Sequence, residues 1–500
     1  MTDDVRPAPA EPLHVREIRA LLALAELAPA DVVPRGTLED GLVDVGDVLN
    51  VPDGVSGGLQ DAREEVEREE CTGVTEVSRV IGSDAADVHR DRTAGRTHWM
   101  DGAAAGVVEA EHAFRTISSR RVIRLPDERE VLATLERVAS PPTAPYHEWR
   151  ALDAIAEELK RLGLVPKRDA YGQLSVHLTR GSAKRALAFV AHTDHPGFEF
   201  VEVSGTHGLA RFRGGIDPKY FQGASVPLIV HRDDVADGHR ATGSGYVHDP
   251  VLPDWSAGYC EIHAERPLAV GDWAVLDLPA FERRGNELYL RSADDLAGCA
   301  VILSTLHALR DETRPFSVHA VFTRAEESGL FGARLVAEDA SIPKDVYVVS
   351  VEASNSLYAP AGAGIVVRAG DYHNTFSNEA ERYLRVAQGR LADRGIGSQR
   401  LLLPGGTCEA SAFVRLGWVA TGIALPNTGY HNAGADGSLV PEMIRLEDVI
   451  SGIALSAEAA VAAGADEEES WWPDVRVVPE EIRERLARSA SLHNKDVSAS

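Results

Sequence analysis

Five short stretches of this sequence bring residues that bind metals or move protons to the end of an apolar run or into a turn. "AVFTRAEESG" carries the adjacent Glu326 and Glu327, and "FVAHTDHPGFE" carries His192, Asp194 and His195. "RSADDLAGCA" carries Asp294 and Asp295, "VVSVEASN" carries Glu352, and "PNTGYHNAG" carries His431. A carboxylate costs free energy to desolvate unless something positive meets it, so two glutamates closing a buried strand need a reason. Singly, each stretch has an ordinary explanation: a solvated strand end for the glutamates, helix N-capping for the aspartates. Jointly, they supply imidazole and carboxylate, a ligand set suited to zinc or a similar divalent ion. His192 and Asp194 are two apart on a strand and share a face. Asp194 is thereby placed to hold the second ring nitrogen of a ligating His192.

The elements that must position these residues are legible around them. "DEREVLATLERVA" and "HEWRALDAIAEELKRLGL" have helical periodicity, the second closing at Gly163. "QLSVHL" and "ALAFVAH" read as strands. From 198 to about 290 the text is β-like and glycine-punctuated, as in "GFEFVEVSG" and "SVPLIVH". After Asp294 helices and strands alternate, which predicts a parallel or mixed sheet covered by helices. The expected organisation is an α/β domain over 123–198 and 290–468, interrupted by a β-rich insert at 199–289. A tail with a short helix follows at 469–500. In open α/β sheets ligands bind at the carboxyl ends of strands, where the five stretches fall.

Composition narrows the function classes. The chain has 51 basic and 77 acidic residues, a net charge of −26. That disfavours nucleic acid and anionic membrane surfaces as partners. No uninterrupted apolar run approaches the roughly 18 residues of a membrane span. Cys71, Cys260, Cys299 and Cys408 are scattered, without zinc-finger or disulfide spacing, and fit a cytoplasmic location. Residues 1–120 hold two aromatics, no lysine, and 12 arginines against 24 acidic residues. Such text buries little apolar area to offset chain entropy. The segment 1–122 is expected to be a low-complexity acidic extension, disordered or a gene-model artefact, with one helix in "PLHVREIRALLALAELA".

The order His-x-Asp, Asp-Asp, Glu-Glu, a lone acidic residue and then His resembles the di-zinc aminopeptidases, in particular the TET-type or glutamyl aminopeptidase family. The resemblance covers about residues 127–465. It rests on "HTDHPGF", "ARFRGGIDPKYFQGASVPL", "VGDWAVLDLPAFERRGNELYLRSADDLAGCAV", "FTRAEESGLFGA", "PGGTCEA" and "GYHN". It implies a three-layer α/β/α catalytic domain with a mixed central sheet. It implies two divalent metal ions, zinc first, with cobalt or manganese as alternatives. His192, Asp294 and Glu352 would hold one ion; Asp294, Glu327 and His431 the other, with Asp294 bridging. Glu326 would be the general base acting on a metal-bridging water, and Asp194 the partner of His192. Short peptides would be the substrates and a dodecamer-like homo-oligomer the assembly. An amidohydrolase or deacylase of the same superfamily is the neighbouring reading, disfavoured by the β-rich insert. A non-catalytic peptide-binding relative is disfavoured because all five ligands and the base are present. Three places depart from the family pattern: His195 stands where Glu is usual, Glu352 where Asp is usual, and the family's Gly-Gly-Thr-Asp loop reads Gly405-Gly406-Thr407-Cys408-Glu409.

Overall fold

The structure, a computed structural model, describes residues 122–223, 225–249, 258–468 and 477–493. The extension expected over 1–122, with its helix, lies outside the described residues apart from Val122. Chain order begins with helices α1 (Glu128–Ala139) and α2 (Trp149–Arg161), then strands β1 (Lys167–Arg168), β2 (Leu174–Arg180) and β3 (Leu187–His192). The insert follows with β4 (Gly197–Ser204), β5 (His207–Arg213), β6 (Val226–Arg232), β7 (Val235–His248), β8 (Gly258–Ala264) and β9 (Trp273–Leu276). Strands β10 (Phe281–Arg284) and β11 (Glu287–Leu290) lead into α3 (Ala293–Arg310), β12 (Phe316–Thr323), α4 (Phe331–Glu338) and β13 (Tyr347–Asn355). The chain continues through β14 (Ile365–Gly370), α5 (Asn378–Ala392), β15 (Ser398–Leu402), α6 (Glu409–Arg415) and β16 (Ala420–Asn427). It closes with β17 (Glu442–Arg445), α7 (Leu446–Ala465) and α8 (Glu480–His493).

An eight-stranded sheet in the order β1-β2-β12-β3-β13-β16-β14-β15 forms the middle layer. Its four central strands β12, β3, β13 and β16 are mutually parallel, whereas β2 and β14 run antiparallel to their central neighbours. The mixed sheet of the three-layer expectation is therefore present. Strand β3 is buried at every position, as a strand covered on both faces must be. Leu187, Phe189 and Ala191 pack with residues of α1, α2, α3, α5 and α7. Ala188 and Val190 pack with residues of α4 and α6 on the other face. Helix α7 is long and apolar enough to cross a membrane by length and composition, and 89% of its most apolar window is buried inside the protein. No apolar run of that length stands out in the sequence because Glu447, Asp448 and Glu458 interrupt it.

The insert is a closed barrel, β4-β5-β8-β7-β6-β9, spanning Gly197–Leu276. Residues 281–289, counted with the insert in the sequence, instead form β10 and most of β11, which pairs antiparallel with β17. They tie the return of the chain to the loop that follows β16. The barrel meets the α/β domain through a polar seam. His147 stacks on Trp273 with ring centroids 5.2 Å apart, and its Nδ1 lies 3.1 Å from Asp233 Oδ2. Glu199 pairs with Arg213 and lies 3.9 Å from His147 Nε2. His147 and the Arg213 guanidinium outweigh burial and hold the Glu199 carboxyl down to about 2. A depressed carboxyl stabilises the fold above its unfolded value and loses that contribution as pH falls toward the folded one. Glu199→Gln should therefore destabilise the protein by about 1–2 kcal/mol at pH 6, a figure discounted for partial solvation. The gap to the parent should be smaller at pH 3. Urea unfolding at both pH values measures it, and a gap that does not narrow at pH 3 rejects the pairing.

Candidate metal centre

Parallel pairing sets the level of the strand ends. Thr323, the last residue of β12, is in register with His192, the last residue of β3. Glu352 lies two residues past the Ser350↔Val190 pair of β13 and β3, which brings it level with His192. Asp294 sits at the start of α3, and His431 in the turn after β16, at φ +53°. His192, Glu327, Glu352 and His431 gather with Asp294 around one cavity. One Asp294 oxygen lies 3.3 Å from His192 Nε2 and the other 3.5 Å from His431 Nε2. His431 Nε2 is also 3.3 Å from Glu327 Oε1. Glu352 Oε2 is 3.6 Å and Glu326 Oε2 4.0 Å from His192 Nε2. Ligand atoms of Asp294, Glu327 and His431 all lie within 4.8 Å of one another, as do those of His192, Glu326 and Glu327. Asp295, read in the sequence as an N-cap candidate, reaches the same distance from His192 and Glu352.

A second tier of buried groups holds this centre, and most of it carries no mark in the sequence. The Asp194 side chain lies 3.6 Å from His192 Nδ1, which is nearer the Asp194 carbonyl at 3.2 Å. The carboxylate instead accepts from the backbone N–H groups of Glu326 and Glu327, both at 3.0 Å. The expected role of Asp194 thus widens from holding an imidazole to holding the glutamate turn. Glu442 accepts from Asp294 N at 2.9 Å, His431 N at 2.8 Å and Asn427 Nδ2 at 3.0 Å. It is fully buried, yet "VPEMIRLED" reads as an ordinary strand edge. Glu352 divides its oxygens: Oε1 accepts from Ser350 Oγ at 2.8 Å, leaving Oε2 toward His192. Gly215, from the loop after β5, accepts from His431 Nδ1 through its carbonyl at 3.2 Å, which leaves Nε2 free to face Asp294 and Glu327. A Cβ on Gly215 would stand 2.8 Å from that ring, so the approach needs glycine.

Charge here is out of balance without a cation. Burial drives Glu326 well above the usual carboxylate range, and Glu352, Glu327 and Asp194 add repulsion. Burial opposes a charged His192, but Glu326, Asp194, Asp294 and Glu352 hold it well above the usual imidazole range. His431 is raised in the same way, mainly by Glu327 and Asp294. Burial likewise pushes Glu409 up to about 8. Acids that retain protons beside bases that seek them mark a shortage of positive charge. Asp294 Oδ1, Glu327 Oε1 and His431 Nε2 are buried without hydrogen-bond partners, which is unusual for buried polar atoms. The oxygen-and-nitrogen donor set, its convergence and these orphaned atoms fit a divalent cation. The centre opens into a cavity of about 290 Å³, walled beyond the acidic residues by Tyr358, Arg368, Leu403, Thr407, Cys408 and Tyr430.

The profile of the M42 glutamyl aminopeptidase family matches residues 172–438, more than half of the chain. The chain belongs to the M42 family. Solved structures share its fold. The TET1 peptidase of Pyrococcus horikoshii, which can assemble into a tetrahedron or a large octahedral shell, is 22% identical with a TM-score of 0.53, covering 66% of this chain and 99% of that one. A second TET1 structure, a dodecamer in the asymmetric unit, is 24% identical over 66% of this chain and 98% of that one, with a TM-score of 0.53. An aminopeptidase from the archaeon Desulfurococcus kamchatkensis is 19% identical over 70% of this chain and 99% of that one, with a TM-score of 0.56.

The departures from the M42 pattern fall in different places. His195 lies behind the centre: Nδ1 is 2.6 Å from the Asp294 carbonyl and Nε2 3.0 Å from Asn432 Oδ1. Asn432 Nδ2 donates to the Arg291 carbonyl at 3.0 Å, which fixes its oxygen toward His195. Cys408 lines the cavity, whereas Glu409 is buried behind it and accepts from Thr323 Oγ1. A divalent ion bound by the folded chain alone stabilises it by about 2.7 kcal/mol at a hundredfold excess over Kd. Zinc added to chelator-treated protein should therefore raise its unfolding temperature, and Asp294→Asn should abolish the rise. Calorimetry with metal analysis checks both; an equal rise in the variant rejects Asp294 as the shared ligand.

Proposed function

We propose that this M42 protein is a metal-dependent aminopeptidase that removes N-terminal residues from short peptides, with Glu326 as general base. The observation that carries this is the placement of the two Asp294 oxygens against two imidazoles, with Glu326 and Glu327 beside them. His192, Asp294 and Glu352 would hold one ion, and Asp294, Glu327 and His431 the other. Four ionised carboxylates at the centre carry −4, which two divalent ions balance. Zinc suits the mixed nitrogen and oxygen set; cobalt and manganese fit it too. Such ions act as Lewis acids toward the scissile carbonyl and lower the pKa of water.

The chain's own groups do the rest. Glu326 is buried and stands beside the ligands, so its carboxylate can take the proton of the attacking water and return it to the leaving amine. Asp194 fixes the backbone of Glu326 and Glu327, so the two side chains keep separate tasks. A cavity of about 290 Å³ suits the end of a short peptide rather than a folded chain end. The M42 relatives of known structure that form tetrahedral or dodecameric assemblies support a homo-oligomer here as well.

Glu326→Gln should keep its metal and lose turnover by at least about 100-fold, the lower bound for removing a general base. Glu327→Gln should lose metal instead. Metal analysis with a panel of aminoacyl and N-acylated amides tests both, and preference for the acylated set would move the protein to the deacylases. If Glu326→Gln also emptied the site, the two glutamates would exchange roles. Sizing with light scattering should find a multimer at micromolar concentration; a monomer rejects the assembly.

A further inference from the structure

Glu148 is fully buried, precedes the residues matched to the family, and does not line the cavity. It holds the N-cap position of α2, yet its side chain makes no capping bond there. The side chain turns to the end of β12 instead. Oε1 accepts from Ala325 N at 3.0 Å and from Tyr146 N at 2.8 Å. Oε2 accepts from Arg324 Nε at 2.8 Å and lies 2.7 Å from Arg324 Nη2. The same guanidinium donates to the carbonyls of Tyr171 and Tyr146 and lies 4.5 Å from the centre of a Trp149 ring. Both partners of this ion pair are therefore fixed by further contacts, unlike a surface pair that trades freely with water.

Ala325 is where the chain leaves β12, and it has φ +53°. A residue with a Cβ adopts that conformation at a cost of roughly 1–2 kcal/mol. Extended backbone would send Glu326 and Glu327 to opposite faces; after this turn both line the cavity. Asp194 holds the N–H groups of Glu326 and Glu327, and Glu148 holds that of Ala325 and the side chain of Arg324. Two carboxylates from different parts of the fold thus fix four successive residues.

We propose that Glu148 is the positioning residue of the general base: clamped by Arg324, it holds Ala325 in the left-handed turn that aims Glu326 at the centre. The proposal rests on the role given above to Glu326. Its effect on rate follows from geometry, since a misplacement of about 1 Å can reduce turnover about 100-fold.

Glu148→Gln keeps the volume but sets an amide N–H2 against the Arg324 donors. Amide hydrogen exchange, bound metal and steady-state kinetics are measured on the full chain. Expected are exchange at least about tenfold faster over 323–331, unchanged metal content, and kcat lower by about 10–100-fold with KM within about twofold. Glu148→Asp, which restores the charge, should recover part of kcat. A folded, metal-loaded Glu148→Gln with parental kcat overturns the proposal, because a merely stabilising ion pair would behave that way. Unchanged exchange overturns it whatever the activity. A parent without aminopeptidase turnover would refute the functional reading alone, and the exchange result would still decide the role of Glu148. If Glu148→Gln does not fold, the less buried Arg324→Lys removes the forked contact, and the same results confirm or overturn the proposal.

Discussion

Mutual repulsion of buried carboxylates around Asp294 is the constraint on which the rest of this structure depends. Two like charges 4 Å apart interact by about 4 kcal/mol at an effective dielectric of 20. Asp294, Glu326, Glu327 and Glu352 share one pocket, each within 4.0 Å of one of two imidazoles. Such a group persists in a fold only if cations, protons or N–H donors answer it. The buried acids divide according to which of these they meet. Asp194, Glu148 and Glu442 accept from backbone N–H groups, and Glu148 also from Arg324. They are answered by the protein itself. Asp294 Oδ1 and Glu327 Oε1 have no hydrogen-bond partner and face only the imidazole nitrogens of His192 and His431, each at 3.3 Å. The oxygens left to the imidazoles form the centre, and the acids answered by backbone N–H groups hold it in place.

Topology explains why the centre lies where it does. Parallel strands side by side end at one level, so β12, β3 and β13 deliver Glu326 and Glu327, His192 and Glu352 to neighbouring places. The barrel is spliced in between Asp194 and Asp294: β4 begins at Gly197, β9 ends at Leu276, and β10 and β11 then carry the chain back to Leu290. The entry thus lies three residues after Asp194, and the return strand ends four residues before Asp294. The loop after β5 also returns to His431 through the Gly215 carbonyl. The barrel is thus an outer part of the centre as well as an inserted domain. Its polar seam at His147, Glu199 and Trp273 lies one residue from Glu148, so the contacts that seat the barrel and those that aim the glutamates run through adjacent residues.

Much of this was legible in the sequence, and the reasons for the rest are physical. Apolar strands that end in His192, Glu326 or Glu352 stand out because burial of a lone polar group is costly, so the anomaly marks the residue. The layered mixed sheet follows from alternation of helix and strand text. Glu148 and Glu442 left no such mark. "PYHEWR" reads as a helix start and "VPEMIRLED" as a strand edge, because glutamate suits the exposed version of both places. Their burial is created by residues far away in the chain: Arg324 and Ala325 for one, Asp294 and Asn427 for the other. Residues 281–289 were read with the insert because their alternation is β-like, and only the pairing of β11 with β17 assigns them elsewhere. Local pattern determines that a strand forms, not which sheet it joins.

Position relative to the centre also decides what each departure from the M42 pattern can change. His195 touches the Asp294 carbonyl and Asn432, so exchanging Glu for His there alters how the Asp294 loop is tied to the His431 loop, not what lines the cavity. Glu352 in place of Asp brings one more methylene, and the structure uses it by anchoring Oε1 on Ser350 while Oε2 reaches the centre. Glu352 and Cys408 both line the cavity, but only at Cys408 does the departure change charge: burial raises its thiol above the usual range, so at neutral pH it is a compact, neutral wall. An aspartate there would add another negative charge to a pocket already crowded with them. The neutral thiol beside the buried Arg368 guanidinium leaves that cation less compensated. Among the three departures, the wall at Cys408 and Arg368 is therefore the place where the charge of a bound terminal side chain would be felt first.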